Sequence, residues 1–130
     1  MTGAASGGRD SVLVADDSMT VLSMVSARLE RSGLDVISAT DGEEALRLAR
    51  EHRPRLAVLD LDMPGLTGLQ VTRHLRQDPD LAGIRIVLLT AHGGEDDVSA
   101  GFAAGVDDYI VKPFSPQDLQ RRVEQLLGLA

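Results

Sequence analysis

Leu56-Ala57-Val58-Leu59-Asp60-Leu61-Asp62-Met63-Pro64-Gly65 is an unbroken apolar run that ends on an acid and passes into a turn. A strand with one wet face would alternate apolar and polar residues; this one does not, so it reads as a strand buried on both sides. Comparable runs recur along the chain at Val12 to Ala15, Val36 to Ala39, Ile84 to Leu89 and Tyr109 to Val111. The stretches between them have helical spacing, and strands alternating with helices predict a parallel sheet covered on both faces. The expected fold is α/β, a doubly wound five-stranded parallel sheet.

Local signals place the helices. The first is expected to begin near Ser18, to bury Val21, Met24, Val25 and Leu29, and to end at Gly33. Asp41, with Glu44 three residues on, resembles a capping box for the second, and Pro54 closes the connection after it. A third is expected from Leu66 to Gln77, stopped by Pro79. Ser115-Pro116-Gln117-Asp118 opens the fifth with an N-cap, a proline and an acid, and Gly128 ends it. The fourth, Glu95 to Ala104, is weak, because Gly93 and Gly94 precede it and Gly101 lies inside. A weak helix is a candidate moving part.

At 130 residues, 43% hydrophobic and 25% charged, the chain has the profile of one ordinary globular domain. Residues 1–10 read as a flexible arm and 11–130 as the domain. No cysteine is present, which excludes disulfides and thiolate chemistry. The aliphatic runs are far too short for a membrane span and the start carries no apolar leader, so a cytoplasmic location without membrane association is expected. A net charge of −7 and only three aromatics, Phe102, Tyr109 and Phe114, argue against direct nucleic-acid binding. All the basic residues but one are arginines, and the exception, Lys112, stands where a compact ammonium has a specific task.

All strands of a parallel sheet end on one edge, where such folds bind their ligands. Asp16 and Asp17 follow the first run, Asp60 the third, Thr90 the fourth and Lys112 the fifth. With the first and third strands side by side, three carboxylates would converge and repel one another. One lysine does not neutralise them, so a hard divalent cation is expected, and magnesium with a few carboxylates and waters fits better than a calcium cage. That ion, the lysine and the threonine hydroxyl around a carboxylate nucleophile are the parts needed to stabilise a phosphoryl group in transfer, with Asp60 as the nucleophile. His52, His74 and His92 lack the spacing of a zinc pair, and Gly65 and Gly68 do not form a P-loop.

The four segments Val12-Leu13-Val14-Ala15-Asp16-Asp17-Ser18, Leu59-Asp60-Leu61-Asp62-Met63-Pro64-Gly65, Leu88-Leu89-Thr90-Ala91 and Asp107-Asp108-Tyr109-Ile110-Val111-Lys112-Pro113-Phe114 together resemble the receiver domains of two-component response regulators. The resemblance covers roughly residues 11 to 127. It implies strand order 2-1-3-4-5, with Asp60 phosphorylated from a histidine kinase or phosphotransfer protein. Asp17 and Asp60 would ligate Mg2+ directly, Asp16 through water and Asp62 through its backbone carbonyl. It further implies phosphoryl contacts from Thr90 and Lys112, a switch made by Thr90 and the aromatic Tyr109, a cis Lys112-Pro113 peptide, and tuning of phosphate lifetime by Asp62 and His92. Such a domain is a signalling module that catalyses its own phosphorylation and dephosphorylation rather than an enzyme in the usual sense.

Two other readings of the same residues stand beside this one: a haloacid-dehalogenase-like phosphatase using Asp60 and Asp62, and a receiver-fold interaction module that works without phosphorylation. Against the first, Pro64 occupies a place where that motif usually has threonine or valine. Asp107 and Asp108 before the fifth strand, with Arg121 and Arg122 in the helix after it, suggest a self-complementary face of the fourth helix, fifth strand and fifth helix. A phosphorylation-favoured homodimer is the expectation for that face.

Overall fold

The structure, a computed structural model, describes residues 10–129. Five strands alternate with five helices: β1 (Ser11–Ala15), α1 (Met19–Arg31), β2 (Asp35–Ala39), α2 (Gly42–His52), β3 (Leu56–Asp60), α3 (Gly68–Gln77), β4 (Arg85–Thr90), α4 (Glu95–Ala104), β5 (Asp108–Val111) and α5 (Pro116–Leu126). All strand pairs are parallel and the order is β2-β1-β3-β4-β5. The expected arm over residues 1–10 lies outside the described residues except for Asp10. That residue is tied down, its carboxylate accepting from Arg55 at 2.8 Å and its carbonyl from the Asp35 amide at 3.0 Å.

The two-residue period of the strands divides the core in two. Leu13, Ala15, Ala57, Leu59, Ile86 and Leu88 face one side, under α2, α3 and α4; Val12, Val14, Leu56, Val58, Val87 and Leu89 face the other, under α1 and α5. β3 is buried along its whole length, whereas the edge strand β2 is half exposed.

Helix positions differ from the sequence expectation in three places. In α1 the buried stripe is Leu22, Val25 and Leu29, spaced three and four apart. Met24 lies off that stripe and is exposed, and Val21 is only half buried. The third helix begins at Gly68, not Leu66, because Thr67 forms a capping box with Gln70. At α2, Asp41 caps the Glu44 amide at 2.8 Å, but the Glu44 side chain reaches one residue further back, to the Thr40 amide at 2.8 Å. The remaining helix starts follow their caps: Ser18 caps α1, Ser115 caps α5 with Pro116 at its first position, and α4 begins after Gly94 with no side-chain cap.

Candidate functional site

Strand register brings the acids together. Ala15 pairs with Leu59, so Asp16 emerges level with Asp60 at the end of two neighbouring central strands. Asp60 pairs with Leu89 and Thr90 with Val111, which places Thr90 and Lys112 on the same edge. One carboxylate oxygen from each of Asp16, Asp17 and Asp60 lies within 4.8 Å of the others. Asp16 and Asp60 are buried, and Asp17 is exposed.

Ser18, not either aspartate, caps α1 by accepting from the Val21 amide at 3.3 Å, so the acid pair is left to the site. Asp16 accepts from the Ser18 amide at 2.9 Å and from Lys112 Nζ at 3.0 Å. The same ammonium donates to Asp60 at 3.1 Å. Burial, and then the charge of Asp16, push the Asp60 carboxyl from 3.8 up to about 6, against the opposing pull of Lys112. Burial alone would lower the Lys112 pKa, but its bonds to Asp16 and Asp60 carry it above the usual lysine value, so it stays an ammonium. Three carboxylates facing one ammonium leave an excess of negative charge, and hard oxygen donors in this number suit a small divalent cation. The donor set therefore fits the expected metal.

Around this centre the Thr90 hydroxyl accepts from the His92 amide at 2.9 Å, and the Lys112 amide donates to the Thr90 carbonyl at 2.7 Å. Tyr109 is buried, its hydroxyl donating to the His92 carbonyl at 2.5 Å, and burial pushes its phenol upward. Asp62 and His92, both exposed, meet at 3.1 Å and join the loop after β3 to the loop after β4. The Lys112-Pro113 peptide is cis.

The four charged residues assigned to a possible interface do not form one open face. Asp107 turns towards α3 and β4, accepting from Arg76 at 2.9 Å and from the Ile86 amide at 2.8 Å. Asp108 instead accepts from Arg122 at 3.0 Å, and Asp118 holds both Arg121 and Arg122. Successive residues of an extended segment point to opposite sides, so two adjacent aspartates could not share a face.

Sequence reasoning missed two features. Arg76 also donates to the carbonyls of Gly105, Ala82 and Ile84, a hub for which an arginine in an amphipathic helix gives no signal. The contact between Asp62 and His92 joins residues thirty apart and is equally silent in the sequence.

Among the described residues no helix is long and apolar enough to cross a membrane. A family model described as the response regulator receiver domain matches residues 12–124. The alkaline phosphatase synthesis transcriptional regulatory protein PhoP of Bacillus subtilis is 44% identical over 116 residues, covering 89% of this chain and 48% of that protein. The chain thus spans about half the length of the curated relatives it matches. Among solved structures, the Vibrio cholerae chemotaxis protein CheY4 is 31% identical with a TM-score of 0.86, covering 92% of this chain and 99% of that one. The receiver domain of the sensor histidine kinase PA1611 from Pseudomonas aeruginosa, with a magnesium ion coordinated in its active site cleft, is 29% identical. Its TM-score is 0.84, and the match covers 93% of this chain and 99% of that one. These likenesses do not favour the phosphatase or the phosphorylation-independent reading. With a matching family model, a matching strand order and the acids, threonine and lysine gathered on one sheet edge, the chain belongs to the receiver domains of two-component response regulators.

Proposed function

We propose that Asp60 accepts a phosphoryl group from a phosphohistidine of a histidine kinase or phosphotransfer protein. The observation that carries this reading is the buried Asp60 carboxylate at the end of the central strand, 3.1 Å from Lys112 Nζ and beside two further acids. An Asp60 oxygen attacks phosphorus, the phosphorus–nitrogen bond breaks, and the leaving imidazole takes up a proton from solvent. Lys112 and the Thr90 hydroxyl stabilise the phosphoryl oxygens as negative charge spreads over them. Asp17 and Asp60 would hold magnesium directly, with Asp16 acting through water and Asp62 through its carbonyl, and the ion would supply the positive charge that one lysine lacks. The contact between Asp62 and His92 ties together the loops that flank the acceptor and supports their assignment to phosphate lifetime.

Incubation with a small acyl phosphate and magnesium, followed by intact-mass analysis, tests the reading. One acid-labile phosphoryl adduct is expected, absent from Asp60→Asn and in excess chelator. Undiminished labelling of the variant would remove Asp60 from its role.

A further inference from the structure

Gly101 stands inside α4, where glycine is ordinarily unfavourable relative to alanine, and it is buried. An alanine Cβ at this position would lie 2.8 Å from Cδ2 and 2.9 Å from Cε2 of Tyr109, closer than carbon atoms tolerate. The missing methyl group is therefore the space in which the tyrosine ring rests. Phe102 covers the ring with its centroid 6.5 Å away, Val106 packs in the same cluster, and the hydroxyl is held by the His92 carbonyl. The glycine backbone is fixed within its helix, whereas the ring hangs from β5 on rotatable bonds. A methyl group at 101 would be relieved most readily by the ring turning outward.

We infer that Gly101 is the positioning residue for Tyr109: the absent side chain sets the balance between a buried and an exposed tyrosine. With the ring buried, the His92 carbonyl is fastened to β5, and the His92 amide in turn holds the Thr90 hydroxyl. Residue 101 thus reaches the proposed phosphoryl contact, Thr90, through Tyr109 and His92 without touching it. That consequence rests on the proposed function; the orientation of the ring does not, because it is measured without phosphate.

Tyr109 is the sole tyrosine and the chain has no tryptophan, so its intrinsic emission reports this one ring. In Gly101→Ala, acrylamide quenching should rise towards that of N-acetyltyrosinamide. The melting temperature provides a second reading. Gly101→Ala should lower it in the parent chain and raise it in a Tyr109→Ala background, where the gain in helix propensity is unopposed. If Gly101→Ala alone fails to fold while the double variant folds, the clash is equally supported. Unchanged quenching, a rise in melting temperature in both backgrounds, or failure of both variants to fold would overturn the inference. Absence of acyl phosphate labelling on Asp60 in the parent chain would overturn the acceptor assignment and leave the quenching result standing.

Discussion

Burial and the neighbouring Asp16 charge push the Asp60 carboxyl up to about 6, and the direction of that change makes a prediction. Below the ordinary 3.8 both folded and unfolded chains are protonated and the residue contributes nothing. As pH rises towards about 6 the unfolded chain ionises first, so metal-free stability falls, and above about 6 the cost is complete. By linkage the cost is on the order of 2–3 kcal/mol. Asp60→Asn should therefore stabilise the metal-free domain by about 1–2 kcal/mol at pH 7.5 and by little at pH 4, the smaller figure allowing for a weaker bond to Lys112. Urea unfolding in chelator at the two pH values measures this. Asp17 lies exposed on the rim of the site. Asp17→Asn should leave metal-free stability within about 0.5 kcal/mol while removing most of the gain that magnesium brings.

Among the secondary structures, α3 is the one that backs Asp60. A Cβ on Gly68 would lie 2.5 Å from the Asp60 carbonyl oxygen, so Gly68→Ala should cost about 1–3 kcal/mol and slow acyl phosphate labelling. Thr67→Ala removes the capping box one residue earlier; it should cost about 1 kcal/mol and leave labelling unchanged. Thermal melts and labelling kinetics separate the two. Thr67-Gly68-Leu69-Gln70 carries this cap openly in the sequence, but apolar Leu66 invites an earlier start. Most of the candidate site was legible because each central strand is a continuous apolar run with its candidate residue at its end, and parallel strands share one edge. Pairings across the fold, such as Arg76 with Asp107 or Asp62 with His92, depend on loop paths that no local pattern encodes. Gly101 was legible as a weak point in α4, but its role as a seat for Tyr109 required the packing. With only that residue buried and no side-chain cap, α4 should exchange its amides faster than α1.

For the molecule as a whole, magnesium at 100 times its dissociation constant should add about 2.7 kcal/mol to stability, read as a rise in melting temperature that chelator reverses. The charges expected to mediate association are already satisfied within the chain: Asp108 by Arg122, and Asp118 by Arg121 and Arg122. Exchanging such half-exposed pairs between subunits gains little, since each contributes about 0–1 kcal/mol. The unphosphorylated domain should sediment as a monomer, and any dimer favoured by a phosphoryl mimic must draw on exposed Phe102 and Val111. Arg122→Glu should destabilise the monomer itself by placing three like charges together.

The backbone bond between Lys112 and Thr90, 2.7 Å long, joins the two groups assigned to grip the phosphoryl oxygens. On the proposed function they would act as the jaws of one vice, spaced by a bond made in folding. Loosening either strand end opens both jaws together, so competence to be phosphorylated should decay in step with amide protection at Lys112 as denaturant is added. A copy with these strand ends frayed should therefore fail to take up label from an acyl phosphate.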